Sequence, residues 1–524
     1  MQLESFLELS AERFPQKTAV VCGSRSMLYR DLDLCANRLA HGLIASGVAR
    51  GDRVVIFLDN SIEACVAIWA IAKAGAVFVV LNPTTKVDKL AFILNHSRAS
   101  ALITSSAKIR QISGVWHRAE HLLCVIAVGA DDCDGRLENK PLENKRLYSY
   151  DALLRRHEKM VTGPEKRAID IDLAALVYTS GSTGSPKGVM LTHLNMVSAA
   201  RSITTYLKNR SDDVIMSVLP LSFDYGLYQL LMSIQVGGTL ILEPSFTYAH
   251  ASLNKFARHG VTGFPIVPTM LALLLRMDLG AYDFSSLRYV SNTGAALPPE
   301  HIRQLRRLWP HAQLFSMYGL TECKRVSYLE PSQVDKRPTS VGKAIPNEEV
   351  FIIDEKGNQV GPNVVGELVV RGSHVMKGYW EDPEATRARL KPGPLPNELQ
   401  LHTGDLFLRD DEGYLYFVGR KDDIIKSRGE KVAPREIENI LHGLAGVSEA
   451  AVVGIADPIL GQRIKAVIVL QKDAQLTTRD VLKHCATYLE AFMLPQTVEF
   501  VQDLPRGATG KVDKQALTRQ TQCA

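Results

Sequence analysis

The chain is 524 residues long, 46% hydrophobic and 22% charged, with 61 Lys and Arg against 56 Asp and Glu. That length calls for about two to four structural units, and the composition excludes collagen-like, disordered and disulfide-scaffold chains. A net charge of +5 over so large a surface disfavours nucleic acid as the main partner, because phosphate-binding proteins concentrate more positive charge than this.

The N-terminus, MQLESFLELSAERFPQKTAVV, has no basic stretch ahead of an apolar run and does not read as a signal peptide. Ser5–Phe14 reads as a helix, and Tyr29–Ser46 has helical spacing through Leu32, Leu39 and Leu43. GVARGDRVVIFL then predicts a glycine-punctuated turn and a strand over Arg53–Leu58. Helix Ser61–Ala74, strand Val77–Leu81, helix Lys86–Asn95 and strand Ser100–Thr104 follow. The most apolar stretch, Val66–Leu81, is interrupted by Lys73 and Gly75 and falls short of a membrane span. The alternation predicts parallel strands with crossover helices. It returns over Asp212–Val218, Tyr225–Gln235, Thr239–Leu242, Ser252–His259 and Gly263–Val267, so two α/β layers are expected before residue 340.

From Val341 the texture changes to short alternating strands separated by DEKGN and GPN turns, which predicts a small antiparallel β unit. KPGPLPNEL, Lys391 to Leu399, reads as a surface loop. Beyond GYLYFVGRKDDIIKSRGEKVAP, the pattern predicts helix Pro434–His442, strands Glu449–Ile455 and Ile464–Gln471, helix Thr478–Glu490 and strand Thr497–Val501. Those elements make a compact α+β unit of about 100 residues, a usual domain size. The eight cysteines show neither CxxC nor zinc spacing. They are expected to be reduced, mostly buried thiols of a cytoplasmic protein.

The most informative stretch is Leu176–His193, LVYTSGSTGSPKGVMLTH. A buried strand runs into small hydroxylated residues and glycines, whose backbone N–H groups can approach an oxyanion closely, and Lys187 adds a mobile positive charge. The spacing is not that of a Walker A loop, and a strand rather than a helix is expected to follow. TSGSTGSPKG resembles the signature loop of the adenylate-forming ligases, which include acyl-CoA synthetases, luciferases and amino-acid adenylation enzymes. Four further segments match in order: YGLTE at Tyr318–Glu322, HTGD at His402–Asp405, GRKDDIIK at Gly419–Lys426 and PRGATGK at Pro505–Lys511.

The resemblance implies an α/β fold with a large N-terminal body of two α/β layers plus a small β unit, residues 1–421, and a smaller mobile α+β C-terminal domain, residues 422–524. It implies that a carboxylate attacks the α-phosphate of ATP, and that a thiol then displaces AMP. Thr179, Ser180, Gly181, Ser182, Thr183, Gly184 and Lys187 would hold the outer phosphates. Thr321 would touch the α-phosphate, and Glu322 would hold Mg²⁺, a hard cation suited to oxygen ligands. Tyr318 would stack on adenine, with Gly294, Ala295 and Ala296 as the opposite wall. Asp405 would accept from both ribose hydroxyls, and Arg420 would reach the ribose or phosphate side. Lys511 would bridge the carboxylate and the α-phosphate in the transition state. Similar enzymes rotate the small domain about a hinge matching Asp422, which would withdraw Lys511 and bring the segment 426–429 toward the thiol. Taken singly, Lys511 and Asp422 read as solvated surface residues.

By the same resemblance Phe223, Asp224, Tyr225, Tyr228, Pro265, Ser291, Thr293, Met317, Arg325 and Val326 line the acid pocket. Phe223 stands where many acyl-CoA synthetases carry the histidine of a Phe-His pair. The Phe223-Asp224 pair is similar instead to that of amino-acid adenylation enzymes, in which the aspartate holds the substrate ammonium. A carboxylate beside an apolar pocket needs a cation; the alternative is that Asp224 caps the helix starting near Tyr225. Arg325 would suit a second carboxylate or another polar acceptor, or would pair with a protein carboxylate.

These readings favour a polar amino acid as substrate and the phosphopantetheine of a separate carrier protein as thiol. An AMP-forming acyl-CoA ligase for a small or aromatic carboxylic acid is the alternative. A luciferase-like oxygenase and a non-catalytic nucleotide scaffold stand further off. No nucleic-acid partner and no membrane span are expected.

Overall fold

The computed structural model describes every residue except 110–111, 131–145, 181–185, 428–429, 458–459, 508–510 and 523–524. Among the described residues four sheets form. The predicted α/β rhythm holds through the first three hundred residues. Ser61 opens the helix Ile62–Lys73 by accepting from the Ala64 N–H at 3.2 Å, and Gly75, at φ +69°, ends it ahead of strand Val77–Val80. Strand Arg53–Phe57 lies between Val77–Val80 and Ala99–Ser105, parallel to both. These belong to an eight-stranded sheet whose other end carries the antiparallel hairpin Leu173–Ser180/Pro186–Thr192 and the edge strand Gly378–Tyr379.

A second, nine-stranded sheet is built on the parallel run Val214–Ser217, Gly263–Ile266, Tyr289–Asn292 and Gln313–Tyr318. Its far side holds Thr18–Cys22, which pairs in parallel with Thr239–Leu242 and antiparallel with Arg25–Leu28. The helical spacing of the N-terminus does not announce this hairpin. The sheet strands are buried on both faces, so their carboxyl ends, where an open α/β sheet leaves a crevice, become the natural ligand site.

The β unit predicted after Val341 is antiparallel, with Gly366–Gly372 between Glu348–Ile353 and Leu399–Arg409. The proline-rich stretch is shorter as a loop than expected, since Leu390–Pro392 and Leu399–Arg409 pair as strands around it. A fourth sheet joins Ile425–Ser427, Glu430–Val432, Val447–Asp457, Gly461–Leu470 and Thr497–Val501, covered by helices Pro434–His442 and Thr478–Tyr488. Its apolar side chains pack into clusters of their own, around Val452, Ile464 and Ile468 on one face and Val453, Val467 and Leu517 on the other. Among the described residues no helix is long and apolar enough to cross a membrane, and the described cysteines are unbridged, four of them buried.

Candidate active site

The carboxyl ends of four neighbouring parallel strands converge on one cleft. Strand Val214–Ser217 leads into Leu219–Phe223, Gly263–Ile266 brings Pro265, Tyr289–Asn292 brings Ser291 and Thr293, and Gln313–Tyr318 brings Met317 and Tyr318. The chain then turns through residues 319–326 before returning antiparallel as Ser327–Leu329. Gly319 permits that turn: a Cβ there would stand 2.1 Å from the Lys324 carbonyl oxygen. Lys324 takes a left-handed φ of +67°, a strain of roughly 1 kcal/mol in a non-glycine residue.

The helix Asp224–Val236 begins with Asp224 as its first residue, and Phe223 occupies the N-cap without a side-chain capping bond. Asp224 is therefore not the cap. It shares a helix face with Tyr228, four residues on. Facing it is Lys324, whose Nζ lies 3.9 Å from Asp224 Oδ2 and 5.7 Å from the centre of the Tyr228 ring. Lys324 is a functional candidate that the motif reading passed over, although its place two residues after Glu322 was a usable signal. Burial pushes its ammonium below the usual lysine range, with Asp224 opposing.

Arg325 lies beside it with its guanidinium 4.8 Å from the centre of the Tyr225 ring, and its Nη1 donates to the Lys324 carbonyl at 2.9 Å. Tyr225 is held by bonds from its hydroxyl to the Ser291 carbonyl at 2.7 Å and with Ser291 Oγ at 2.8 Å. Met317 Sδ accepts from the Tyr206 hydroxyl at 2.9 Å, while Pro265, Thr293 and Val326 are buried in the surrounding wall.

On the solvent side, Gly294 has φ +85°, and a Cβ there would meet Phe223 Cζ at 3.6 Å and Lys511 Cε at 3.8 Å. Phe223, Gly294, Ala295, Ala296 and Lys511 line one cleft of about 180 Å³ with Ser448, Glu449 and Ala450. Lys511 is pinned at a hairpin end, because Gly507 N–H donates to its carbonyl at 2.8 Å and Arg506 bridges to Val512. Its side chain is open to solvent but deeply walled by protein. That crowding lowers its pKa, while Asp224, Asp405 and Glu322 oppose the fall and Arg420 adds to it.

Tyr318 donates from its hydroxyl to Asp405 Oδ2 at 2.6 Å and packs edge-on against Phe407, ring centres 4.8 Å apart. Asp405 pairs across the strands with Arg420, whose Nε lies 3.2 Å from Oδ1 without hydrogen-bond geometry. Oδ2 thus accepts from Tyr318, while Oδ1 is buried and has no hydrogen-bond donor among the described residues. Burial raises the Asp405 pKa, with Arg420 opposing.

Glu322 Oε1 accepts from the Tyr379 hydroxyl at 2.7 Å. Lys187 Nζ sits 5.5 Å from the centre of the same Tyr379 ring and 3.8 Å from Asp382 Oδ2. Tyr379 therefore ties the end of the signature hairpin to the YGLTE turn, a link made by the edge strand Gly378–Tyr379 that no local pattern shows. In that hairpin Thr179 pairs with Lys187 and Ser180 with Pro186. Gly181, Ser182, Thr183 and Gly184 lie outside the described residues. Thr321 lies, part-exposed, in the turn beside Glu322, and Asp422 is exposed in the turn after Arg420. Among the described residues no three His, Cys, Asp or Glu side chains form a metal cluster, so any cation here would draw most ligands from elsewhere.

Residues 7–380 match the family model described as AMP-binding enzyme, and 436–511 match the AMP-binding enzyme C-terminal domain. The chain is 30% identical to the long-chain-fatty-acid–CoA ligase of Bacillus subtilis (strain 168), over 99% of its own length and 94% of the relative's. It is 32% identical to the indoleacetate–CoA ligase of Aromatoleum aromaticum (strain DSM 19018 / LMG 30748 / EbN1), over 98% and 97%. Its fold superposes on the crystal structure of the anthranilate CoA ligase AuaEII in complex with anthranoyl-AMP with a TM-score of 0.89, at 26% identity, over 99% of this chain and 97% of that one.

Proposed function

The chain belongs to the AMP-binding enzyme family, the adenylate-forming ligases, and is an AMP-forming acid–thiol ligase; from that premise we propose that it joins a small or aromatic carboxylic acid to coenzyme A. The observation that carries this reading over amino-acid activation is the Lys324–Asp224 approach. The cation expected from a substrate amine is supplied by the chain itself. The relatives above are named as CoA ligases, which supports the same choice. A carrier protein and a substrate amine are then not required.

In the first step a carboxylate oxygen attacks the α-phosphorus and pyrophosphate leaves. Lys511 stands over Gly294 beside Phe223, where its ammonium bridges the attacking carboxylate and the α-phosphate and offsets the charge gathering there. Thr321 holds the α-phosphate, and Thr179, Ser180 and Lys187 receive the outer phosphates. Tyr318 and Asp405 Oδ1 hold the nucleoside, and Arg420 faces the phosphate side. In the second step the CoA sulfur attacks the acyl carbonyl, AMP leaves and the thiol proton passes to solvent. We assign Asp422 as the hinge between a body of residues 1–421 and a cap of 422–524 that exposes the adenylate to the thiol. The separate core of the fourth sheet supports that division.

Glu322 would hold Mg²⁺ as a single protein carboxylate, through the oxygen that Tyr379 leaves unengaged. When bound, the ion neutralises phosphate charge. The Tyr379 hydroxyl positions that carboxylate. Tyr379→Phe is expected to lower the pyrophosphate-exchange rate about five-fold, the worth of one hydrogen bond of about 1 kcal/mol, with the acid's KM unchanged; an unaltered rate removes Tyr379 from the scheme.

The test of the overall reading incubates enzyme, ATP, an acid panel and either CoA or a phosphopantetheinylated carrier protein, with mass spectrometry of the thioester. Acyl-CoA is expected. Adenylation without acyl-CoA, but with acylated carrier, overturns it.

A pH effect follows from His442. It faces His301 of the body, ring centres 6.3 Å apart. Burial and His301 push its pKa from 6.5 down to about 4, with Glu438 opposing; Glu300, Glu449 and Arg276 act on His301. A released His442 binds more protons than a docked one between those values, so docking of the cap is favoured above pH 6.5 and lost as pH falls toward 4. The adenylation rate of the wild type is expected to fall across that window more steeply than that of His442→Gln, measured by exchange at a series of pH values.

A further inference from the structure

Three buried donors near Asp224 lack acceptors among the described residues. Lys324 Nζ, Arg325 Nε and the Tyr228 hydroxyl have no hydrogen-bond partner there, yet Lys324, Arg325 and Tyr228 are only 1%, 3% and 1% exposed. Asp224 Oδ2, at 3.9 Å from Lys324 Nζ, is too distant to accept a hydrogen bond. The described residues supply no carboxylate within ion-pair distance of Arg325, so the alternative that it pairs with a protein carboxylate is not realised. Lys324 is opposed by Asp224 first and by Glu322 second, neither within hydrogen-bond distance. Folded proteins satisfy buried donors, and an orphaned one costs free energy unless a ligand completes it.

The reacting carboxylate of the acid does not account for these groups. It belongs with Lys511, which lines the cleft and is acted on by Asp224 as well as by Asp405 and Glu322. Lys324, Arg325 and Tyr228 are almost fully buried and are not among the residues lining the cleft that holds Lys511, which leaves them for the other end of the acid. A carboxylate offers about four lone-pair positions and one negative charge, enough to accept from all three donors and to balance the second cation. An ester or amide carbonyl offers two positions and no charge. An alkyl or aryl tail leaves every donor unpaired.

We infer that Lys324, Arg325 and Tyr228 form a specificity site for a second anionic group, and that the preferred substrate is a short or aromatic dicarboxylic acid or an equivalent acid with a distal anion. This deepens the CoA-ligase reading and rests on it for the identity of the site. Asp224 holds Lys324 in position from the other side, and the Tyr225–Ser291 bonds fix the ring on which Arg325 lies.

The test is ATP–pyrophosphate exchange with three- to five-carbon dicarboxylic acids, benzene dicarboxylic acids and the monomethyl ester of each. The free diacid is expected to exceed its monoester on the order of 100-fold in kcat/KM, the scale on which a site of unpaired polar groups rejects a substrate lacking their partner. Arg325→Met and Lys324→Met are each expected to lower kcat/KM for the diacid at least about ten-fold more than that for the monoester. ATP binding by each variant serves as the check on folding, and Arg325→Gln removes the charge while keeping a polar side chain. Equal exchange with monoester and diacid overturns the inference, as does equal loss for both acids in a variant that binds ATP. If a variant fails to bind ATP, the wild-type comparison decides alone. Exchange reads only the first half-reaction. Diacid-driven exchange without acyl-CoA leaves this site standing and removes CoA as the acceptor, whereas acyl-CoA made only from monocarboxylic acids does the reverse.

Discussion

Replacing Lys511 by alanine is expected to slow acid adenylation by about 10³-fold, comparable to the loss of a principal charge-stabilising donor in an acyl- or phosphoryl-transfer site. The lysine stands against Gly294 and Phe223, at the mouth of the acid pocket, in the fields of Asp224, Asp405 and Glu322. The incoming carboxylate and the α-phosphate are both anionic, and the ammonium lowers the repulsion between them most where they are closest, in the transition state. Stability should barely change. The side chain is exposed, and the hairpin that holds it is kept by the Gly507–Lys511 backbone bond and by Val512 packing beside Leu504 and Leu517; substitutions at such positions shift stability by about 0.5 kcal/mol or less. ATP binding should persist, and thioester formation from a supplied acyl-adenylate should stay within about three-fold of wild type, because the cap rotation proposed for that step would withdraw Lys511 from the α-phosphate. Full pyrophosphate exchange by Lys511→Ala would remove the mechanism.

The second large effect is on folding. Asp224→Ala leaves the Lys324 ammonium buried without a counter-charge and is expected to destabilise the protein by about 3 kcal/mol, seen as a lowered midpoint in thermal or urea unfolding. Lys324→Met alone strands Asp224 in the same way. The double variant Asp224→Ala/Lys324→Met should be destabilised by about 4 kcal/mol, less than the about 6 kcal/mol of the two single losses added, so that the cycle returns a coupling of about 2 kcal/mol between the two positions. The contrasting outcome is sharp. If Asp224→Ala folds as stably as wild type and loses exchange with amino acids alone, the carboxylate serves a substrate ammonium and the amino-acid reading returns.

Much of the fold was legible. The helix over Tyr29–Ala45 follows from the Leu32, Leu39 and Leu43 spacing, and Pro434–His442 and Thr497–Val501 lie where the pattern predicts them. Those elements depend on local periodicity, capping and glycine placement, which are written in neighbouring residues. The hairpin Thr18–Cys22/Arg25–Leu28 was not legible, since its first strand completes a ladder with Thr239–Leu242 more than two hundred residues away. Asp224 as a helix cap was a sound local expectation that failed because the chain enters the helix one residue earlier, at Phe223. Tyr379 carried no local signal; its role arises from edge pairing with Val189 on the signature hairpin.

The amino-acid sequence by itself determined the chemistry of this protein. Five ordered motifs resemble those of the adenylate-forming ligases, and such a resemblance rests on residue type and order. It could not decide which charge answers which. Coulomb energies and desolvation depend on separations of a few ångströms and on burial, and both are set by how distant segments pack. The tertiary structure gave Asp224 a cation in Lys324, engaged one oxygen of Asp405 with Tyr318 and left three buried donors near Asp224 without partners among the described residues. The chain-wide charge of +5 is silent on all of this, because these few groups act through contacts made only when the four strand ends and the turn at 319–326 come together.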